Sequence, residues 1–219
     1  KHVAANKSEK ILLIQNKALE LSLFLSIPAT VALLIASNEI ISALFGYGLF
    51  DEKSVENSAK ALFYFALGLP AFSLIKVFSS FYFARHNTKV PFYISLVSVF
   101  VNILISVIFF KKFGFIVIPI ATTISSWFNS IILFIYLKKD KYFSFNLTFL
   151  NKFIRILFSS IIMGSLFVFL MSFFEANLAY DENYKSFYLI SLVMFGLITY
   201  LVIAILIKAF KISDINLKY

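Results

Sequence analysis

ALFYFALGLPAFSLIKVFSSFYF, residues 61–83, carries a single charge, Lys76, among side chains that are otherwise apolar, small or hydroxylated. A helix of this length covers about 35 Å at 1.5 Å per residue, and the hydrocarbon core of a bilayer is about 30 Å thick. The stretch therefore reads as a membrane-crossing helix. A barrel strand would alternate over about 10 residues and then turn, and hydrocarbon offers no partner to an open strand's backbone. Similar runs occupy 18–37, 92–110, 115–137, 156–174 and 186–207. The expected fold class is all-α, a polytopic transmembrane helical bundle of six spans.

Composition supports that reading. Of 219 residues, 61% are hydrophobic and 14% charged, too few charges to coat a soluble domain of this size. The net charge of +9 invites comparison with nucleic-acid binders, but the basic residues stand at the ends of apolar runs and form no groove, so no nucleic-acid partner is expected. There is no cysteine, which excludes disulfide and thiol chemistry, and the two histidines, His2 and His86, lack ligand-like spacing. No metal site is assigned. The polar opening through Lys17 lacks the form of a cleavable signal peptide, and a start at Lys1 reads as a piece of a longer chain.

Charge assigns the sides. Segments 1–17, 84–91, 138–155 and 208–219 hold fourteen of the twenty Lys and Arg residues, whereas 38–60, 111–114 and 175–185 hold five. The positive-inside rule then places both chain ends in the cytoplasm. Residues 38–60, interrupted by Gly46, Gly48 and Asp51 to Lys53, form the expected largest outer connection. In 140–150, the aromatics Tyr142, Phe143, Phe145 and Phe149 among Lys141, Asn146 and Asn151 suit a piece lying at the inner interface. That piece is the expected boundary between a four-helix unit and a terminal hairpin.

Polar residues recur at helical spacing in the first four spans: Ser22, Ser26 and Thr30; Ser73, Lys76 and Ser80; Ser95, Ser98, Asn102 and Ser106; Thr122, Ser126 and Asn129. Two readings fit. Small and hydroxylated residues let membrane helices approach one another, and four such stripes in succession also suit a shared polar cavity. Ser160 and Gly164 read more simply as a small-xxx-small contact. Lys76 lies about eight residues, roughly 12 Å, from the inner end of its span, where a charge costs on the order of 3 kcal/mol. A long stem snorkelling to the interface would explain it, but its shared face with Ser73 and Ser80 favours a cavity able to attract an anion. Pro28 and Pro70, the latter beside Gly68, interrupt helical hydrogen bonding and fit either a static kink or a moving one. Asn102 suits a helix contact or a cation site.

No Walker motif, glycine-rich nucleotide loop or paired intramembrane acids are present, so the chain is not expected to be an enzyme, and no repeated filter sequence suggests a channel.

Leu44-Phe45-Gly46-Tyr47-Gly48-Leu49-Phe50, Ala61-Leu62, and Gly68-Leu69-Pro70-Ala71-Phe72-Ser73-Leu74-Ile75-Lys76-Val77 resemble the MurJ (MviN) family of lipid II flippases. Phe81-Tyr82-Phe83-Ala84-Arg85, Asn87-Thr88-Lys89-Val90-Pro91 and Asn102 continue the likeness in order. The resemblance implies a fourteen-span member of the multidrug, oligosaccharidyl-lipid and polysaccharide exporter superfamily, of which this chain looks like the last six spans. Residues 1–139 would complete the second lobe, 140–155 would form an interfacial cytoplasmic connection, and 156–219 would form a terminal hairpin and tail with a groove for a lipid tail. Implied partners are undecaprenyl-diphosphate-linked peptidoglycan precursor, membrane lipids and an upstream eight-span part. The implied location is the bacterial cytoplasmic (inner) membrane.

The expected cavity residues are Lys76, Ser73, Ser80, Asn102 and Asn129. The family's diphosphate-binding arginines correspond largely to positions upstream of Lys1, and Arg85 is not a substitute for them. Asn102, Ser106, Ile118 and Thr122 match a sodium site of some members, with Ser106 standing where a carboxylate is expected. No cofactor is implied beyond coupling to sodium or to the membrane potential. Another oligosaccharide-lipid or multidrug exporter, or a non-transporting membrane scaffold, are the alternative functions.

Overall fold

The computed structural model describes the backbone of residues 2–210 and side chains from residue 9 onward. The expected tail beyond residue 210 and the side chain of His2 lie outside the described residues. Six helices of 22 residues or more dominate: α1 (His2–Ile35), α3 (Glu52–Phe83), α4 (Lys89–Phe113), α5 (Val117–Lys139), α6 (Leu147–Phe173) and α7 (Lys185–Leu206), with a short α2 (Ser37–Phe45) between the first two. By length and apolarity alone the described residues hold five stretches able to cross a membrane, one of them the 51 residues Lys89–Lys139. That stretch is two helices. Gly114 at φ 63° reverses the chain after α4, a backbone region in which a side chain would be strained. Hydrogen bonds from Asn102 to Thr122 and from Asn129 to Ser95 then run across an antiparallel pair.

The boundaries differ from expectation in two places. Residues 38–60 are mostly helical: α2 fills 37–45, only 46–51 is irregular, and Asp51 caps α3 by accepting from the Ser54 amide at 2.9 Å. Hydrogen bonds from Ser54 hold the Asp51 carboxyl below the usual carboxylate range. The second is α6, which begins at Leu147, capped by Asn146 accepting from the Thr148 amide, so that only 140–146 is non-helical. Phe143 and Phe149 are buried, in a ring cluster with Phe78, Phe81, Phe134 and Phe145, because this connection folds back under the bundle.

Helix α3 packs against α1 and α5, α5 against α4, and α6 against α1 and α7. A continuous apolar core runs through Leu19, Phe24, Phe78, Tyr82, Leu133, Ile156 and Tyr200. At Gly164 an added Cβ would lie 2.7 Å from Val31 Cγ1, so α6 approaches α1 more closely there than any side chain would allow. Ser160, one turn earlier, is buried on the same helix. The outward faces are greasy. Phe92, Leu96, Phe100, Ile103 and Val107 of α4 and Phe187, Ile190 and Met194 of α7 are all exposed, as a lipid-facing exterior requires.

The loops sort to two ends. Asn16 Nδ2 donates to the Ser144 carbonyl at 3.1 Å, Lys152 pairs with Glu20 at 2.7 Å, Arg85 donates to the Tyr142 carbonyl at 3.0 Å, and Arg155 donates to the Lys208 carbonyl at 3.2 Å. The four segments grouped by positive charge thus meet at one end. At the other, Tyr180 Oη donates to the Phe50 carbonyl at 2.7 Å, and the Tyr47 and Ser186 hydroxyls share a 2.7 Å hydrogen bond.

Candidate functional site

Helices α4 and α5 turn their polar stripes toward each other. Asn102 Nδ2 donates to Thr122 Oγ1 at 3.1 Å and to Ser125 Oγ at 3.3 Å, and Thr122 Oγ1 in turn donates to the Ile118 carbonyl at 2.9 Å. Farther along, Asn129 Nδ2 donates to Ser95 Oγ at 3.3 Å, while Asn129 Oδ1 is buried without a partner among the described residues. Ser98 and Ser126 donate to the carbonyls of Ile94 and Thr122 in their own helices. Much of this seam is therefore interhelical and local hydrogen bonding, with one acceptor left over at Asn129.

The structure joins Asn102, Ile118 and Thr122 through that chain of bonds. Ser106 is half-buried on α4, one turn beyond Asn102, and makes no hydrogen bond among the described residues. Every oxygen these four positions offer is neutral. No group of three or more His, Cys, Asp or Glu side chains suited to a metal ion occurs among the described residues.

The α3 stripe stands apart from the seam. Lys76 is exposed and has no hydrogen-bond or ion-pair partner among the described residues, Ser73 is half-buried, and the exposed Ser80 donates to the Val77 carbonyl at 2.7 Å. No hydrogen bond links this trio to Asn102 or Asn129. What ties α3 to α5 instead is the Pro70 region. Thr123 Oγ1 donates to the Tyr64 carbonyl at 2.6 Å, and Trp127 Nε1 to the Leu67 carbonyl at 3.0 Å. Proline withholds an amide from the preceding turn, and the neighbouring helix supplies donors beside the gap. Gly68 makes the approach possible: a Cβ there would come within 2.9 Å of Thr123 Oγ1.

On α1, Thr30 donates to the Ser26 carbonyl at 2.8 Å and Ser26 Oγ is buried without a partner. Thr30 borders an apolar cavity of about 620 Å³ between α1, α3, α5 and α6, walled by Leu23, Leu74, Phe134 and Phe153. Arg85 is fully engaged elsewhere: it donates to the carbonyls of Phe81 at 2.6 Å and Tyr142 at 3.0 Å, and its guanidinium lies 4.4 Å from the Tyr142 ring centre. It holds the 140–146 connection in place.

Sequence reasoning missed Lys185. This side chain is 1% exposed. Its ammonium donates to the carbonyls of Gly46 at 2.9 Å and Tyr180 at 2.6 Å, and lies 4.5 and 4.6 Å from the ring centres of Tyr47 and Tyr180. Two carbonyl dipoles and two π faces replace its water. The available signal was Tyr47 between two glycines, but nothing in the sequence pairs that turn with residues 180–186.

Three comparisons bear on this array. The family model described as "Lipid II flippase MurJ" matches residues 1–188. Among curated proteins, the probable lipid II flippase MurJ of Rhizobium tropici is 32% identical over 209 residues, covering 94% of this chain and 39% of the relative. That of Thermotoga maritima is 32% identical over 194 residues, covering 89% and 37%. The chain thus spans less than half the length of these relatives. A solved structure of lipid II flippase MurJ in an inward closed conformation superposes with a TM-score of 0.75 at 27% identity, covering 93% of this chain and 40% of that one.

Proposed function

This chain belongs to the MurJ family of lipid II flippases, and from that premise we propose that it is the C-terminal six-span portion of a transporter. Its substrate is undecaprenyl-diphosphate-linked peptidoglycan precursor, moved from the cytoplasmic to the periplasmic leaflet of the bacterial inner membrane. The observation that carries this reading is the match of the helical array, from α1 to α7, to a solved flippase. Residues 1–139 complete the second lobe, 140–155 connect at the cytoplasmic surface, and 156–219 form the terminal hairpin and tail. An upstream eight-span part supplies the remaining lobe, and both ends of the chain face the cytoplasm. The chain works as a transporter and not as an enzyme.

In this reading Lys76, Ser73 and Ser80 border the translocation cavity from α3, the exposed ammonium offering an anionic head group a positive charge in a poorly hydrated space. Asn102 and Asn129 brace the α4–α5 wall, with Asn129 Oδ1 as its one spare acceptor. Asn102, Ser106, Ile118 and Thr122 present oxygens of the type an alkali cation takes, but no carboxylate offsets its charge. The seam therefore offers a sodium ion only weak compensation, and it favours coupling to neither sodium nor the membrane potential over the other.

The test is complementation. Full-length protein should restore lipid II translocation in cells depleted of their own flippase, and failure with verified insertion would overturn the proposal.

A further inference from the structure

Phe109-Phe110-Lys111-Lys112-Phe113-Gly114-Phe115 closes α4 and opens the turn into α5. Its adjacent lysines run against the positive-inside count for this end of the bundle. Both lysines and all four phenylalanines are exposed. Neither Lys76 nor the α4–α5 seam involves them.

Topology fixes the depth of this turn. Only Gly114–Ile116 separates α4 from α5, and the 25 residues of α4 cover about 38 Å at 1.5 Å per residue, against about 30 Å of hydrocarbon. So short a connection between two crossing helices lies at the membrane surface. Phe100, Ile103, Val107 and Phe110 follow one another at helical spacing and are all exposed, so the lipid-facing exterior of α4 runs unbroken up to the lysines.

The lysines have no counter-ion of their own. No Asp or Glu occurs between Glu56 and Asp140, so α4 and α5 hold none. The Lys112 ammonium lies 5.4 Å from the Phe113 ring centre, and neither lysine makes a hydrogen bond or ion pair among the described residues. Other cations at this end are provided for: Lys60 pairs with Glu56, and Lys185 donates to the carbonyls of Gly46 and Tyr180. The carboxyl end of α4 attracts a cation weakly, which does not account for the exposed rings on either side.

We propose that this turn binds the phosphate groups of anionic phospholipids in the leaflet at its end of the bundle. Lys111 and Lys112 supply the charge and the donors, and Phe109, Phe110, Phe113 and Phe115 sit among the first acyl carbons. A lysine stem runs along apolar surface and carries its ammonium to head-group depth, whereas a phenyl ring has no polar edge and belongs just beneath. Phosphatidylcholine brings its own cation to the phosphate and phosphatidylglycerol does not, so the anionic head group is the one that complements two unpaired ammoniums. This contact requires only that α4 and α5 cross a bilayer, whatever the protein transports.

Local quenching tests it, because the chain has no cysteine of its own. Full-length protein, with any upstream cysteine replaced, is labelled with bimane at Val107→Cys, an exposed position about one turn below the lysines. It is placed in phosphatidylcholine nanodiscs containing either spin-labelled phosphatidylglycerol or spin-labelled phosphatidylcholine at equal mole fraction. Phosphatidylglycerol should quench several-fold more effectively, the preference should vanish in Lys111→Gln/Lys112→Gln, and it should persist in Lys111→Arg/Lys112→Arg. Equal quenching by the two lipids without those substitutions, or a preference that survives in the folded Gln variant, would overturn the proposal. So would a bimane that neither lipid reaches, which would mean that protein covers the turn.

Discussion

The ammonium of Lys185 lies 4.5 Å from the centre of the Tyr47 ring, although the two residues stand 138 positions apart in the chain. This contact fastens the 46–50 turn to the first residue of α7. Replacing Lys185 with Met keeps a long stem but leaves the Gly46 and Tyr180 carbonyls without their donor. Each buried carbonyl stripped of a partner costs about 1–3 kcal/mol, so Lys185→Met should destabilise the protein by about 2–6 kcal/mol. Thermal unfolding in nanodiscs measures it, and an unchanged midpoint would show that water reaches this site freely.

Lys76→Met should insert normally and flip less lipid II per inserted molecule, because it removes the exposed cation while keeping the stem. Arg at this position keeps the charge in a planar, forked form and should restore activity only in part. Unchanged flipping in the Met variant would leave Lys76 a snorkelling residue with no part in transport.

Gly68→Leu should separate α3 from α5. The first added carbon already meets Thr123 Oγ1 at 2.9 Å, so the Thr123 hydrogen bond to Tyr64 must break or the helices must shift. Overpacking of this kind costs about 1–3 kcal/mol. A double variant with Thr123→Ala should recover part of that loss, and if it recovers none the strain lies elsewhere.

The Glu39 carboxyl is pushed up by burial, so its charged form is the one the fold disfavours. Stability from this group is fully present below its unfolded value of 4.5 and is lost as pH rises through the higher folded value. Glu39 borders a cavity of about 670 Å³ whose other titratable groups are Glu52, Glu175 and Tyr180. Glu39→Gln should therefore raise the unfolding midpoint at pH 7.5 and leave it unchanged at pH 4. A fall at pH 7.5 would mean that the charged form is favoured by a partner already in place.

Reporters inserted in 138–155 and after Lys208 should read cytoplasmic, and those in 38–60 and 175–185 periplasmic. A reproducible inversion would overturn the side assignment, though not the grouping of loops at two ends.

How much of this was legible beforehand depended on the range of the interaction. Hydrocarbon thickness sets span length locally, so 61–83 and 92–110 fall inside the observed α3 and α4. The short 111–114 connection is likewise local, and the stripes that hold Asn102 and Asn129 needed only the helical period to fall on one face of α4 and one of α5. The helical start at Leu147 was obscured because Phe145 and Phe149 read as interface aromatics until they are seen packed in one ring cluster with the buried Phe143. The partners of Lys185 and the enclosure of Glu39 depend on contacts between distant segments, which no short-range pattern encodes.

The indole of Trp127 is the only one in this chain, and its single hydrogen bond ends on α3 beside Pro70. With any tryptophans of the upstream part replaced, its emission is an optical gauge of the α3–α5 junction. Excited indole responds to the polarity around its N–H, so a cycle that opens this junction should change the emission maximum with no dye attached. If the two helices travel as one body, the spectrum should stay constant while the rest of the transporter moves.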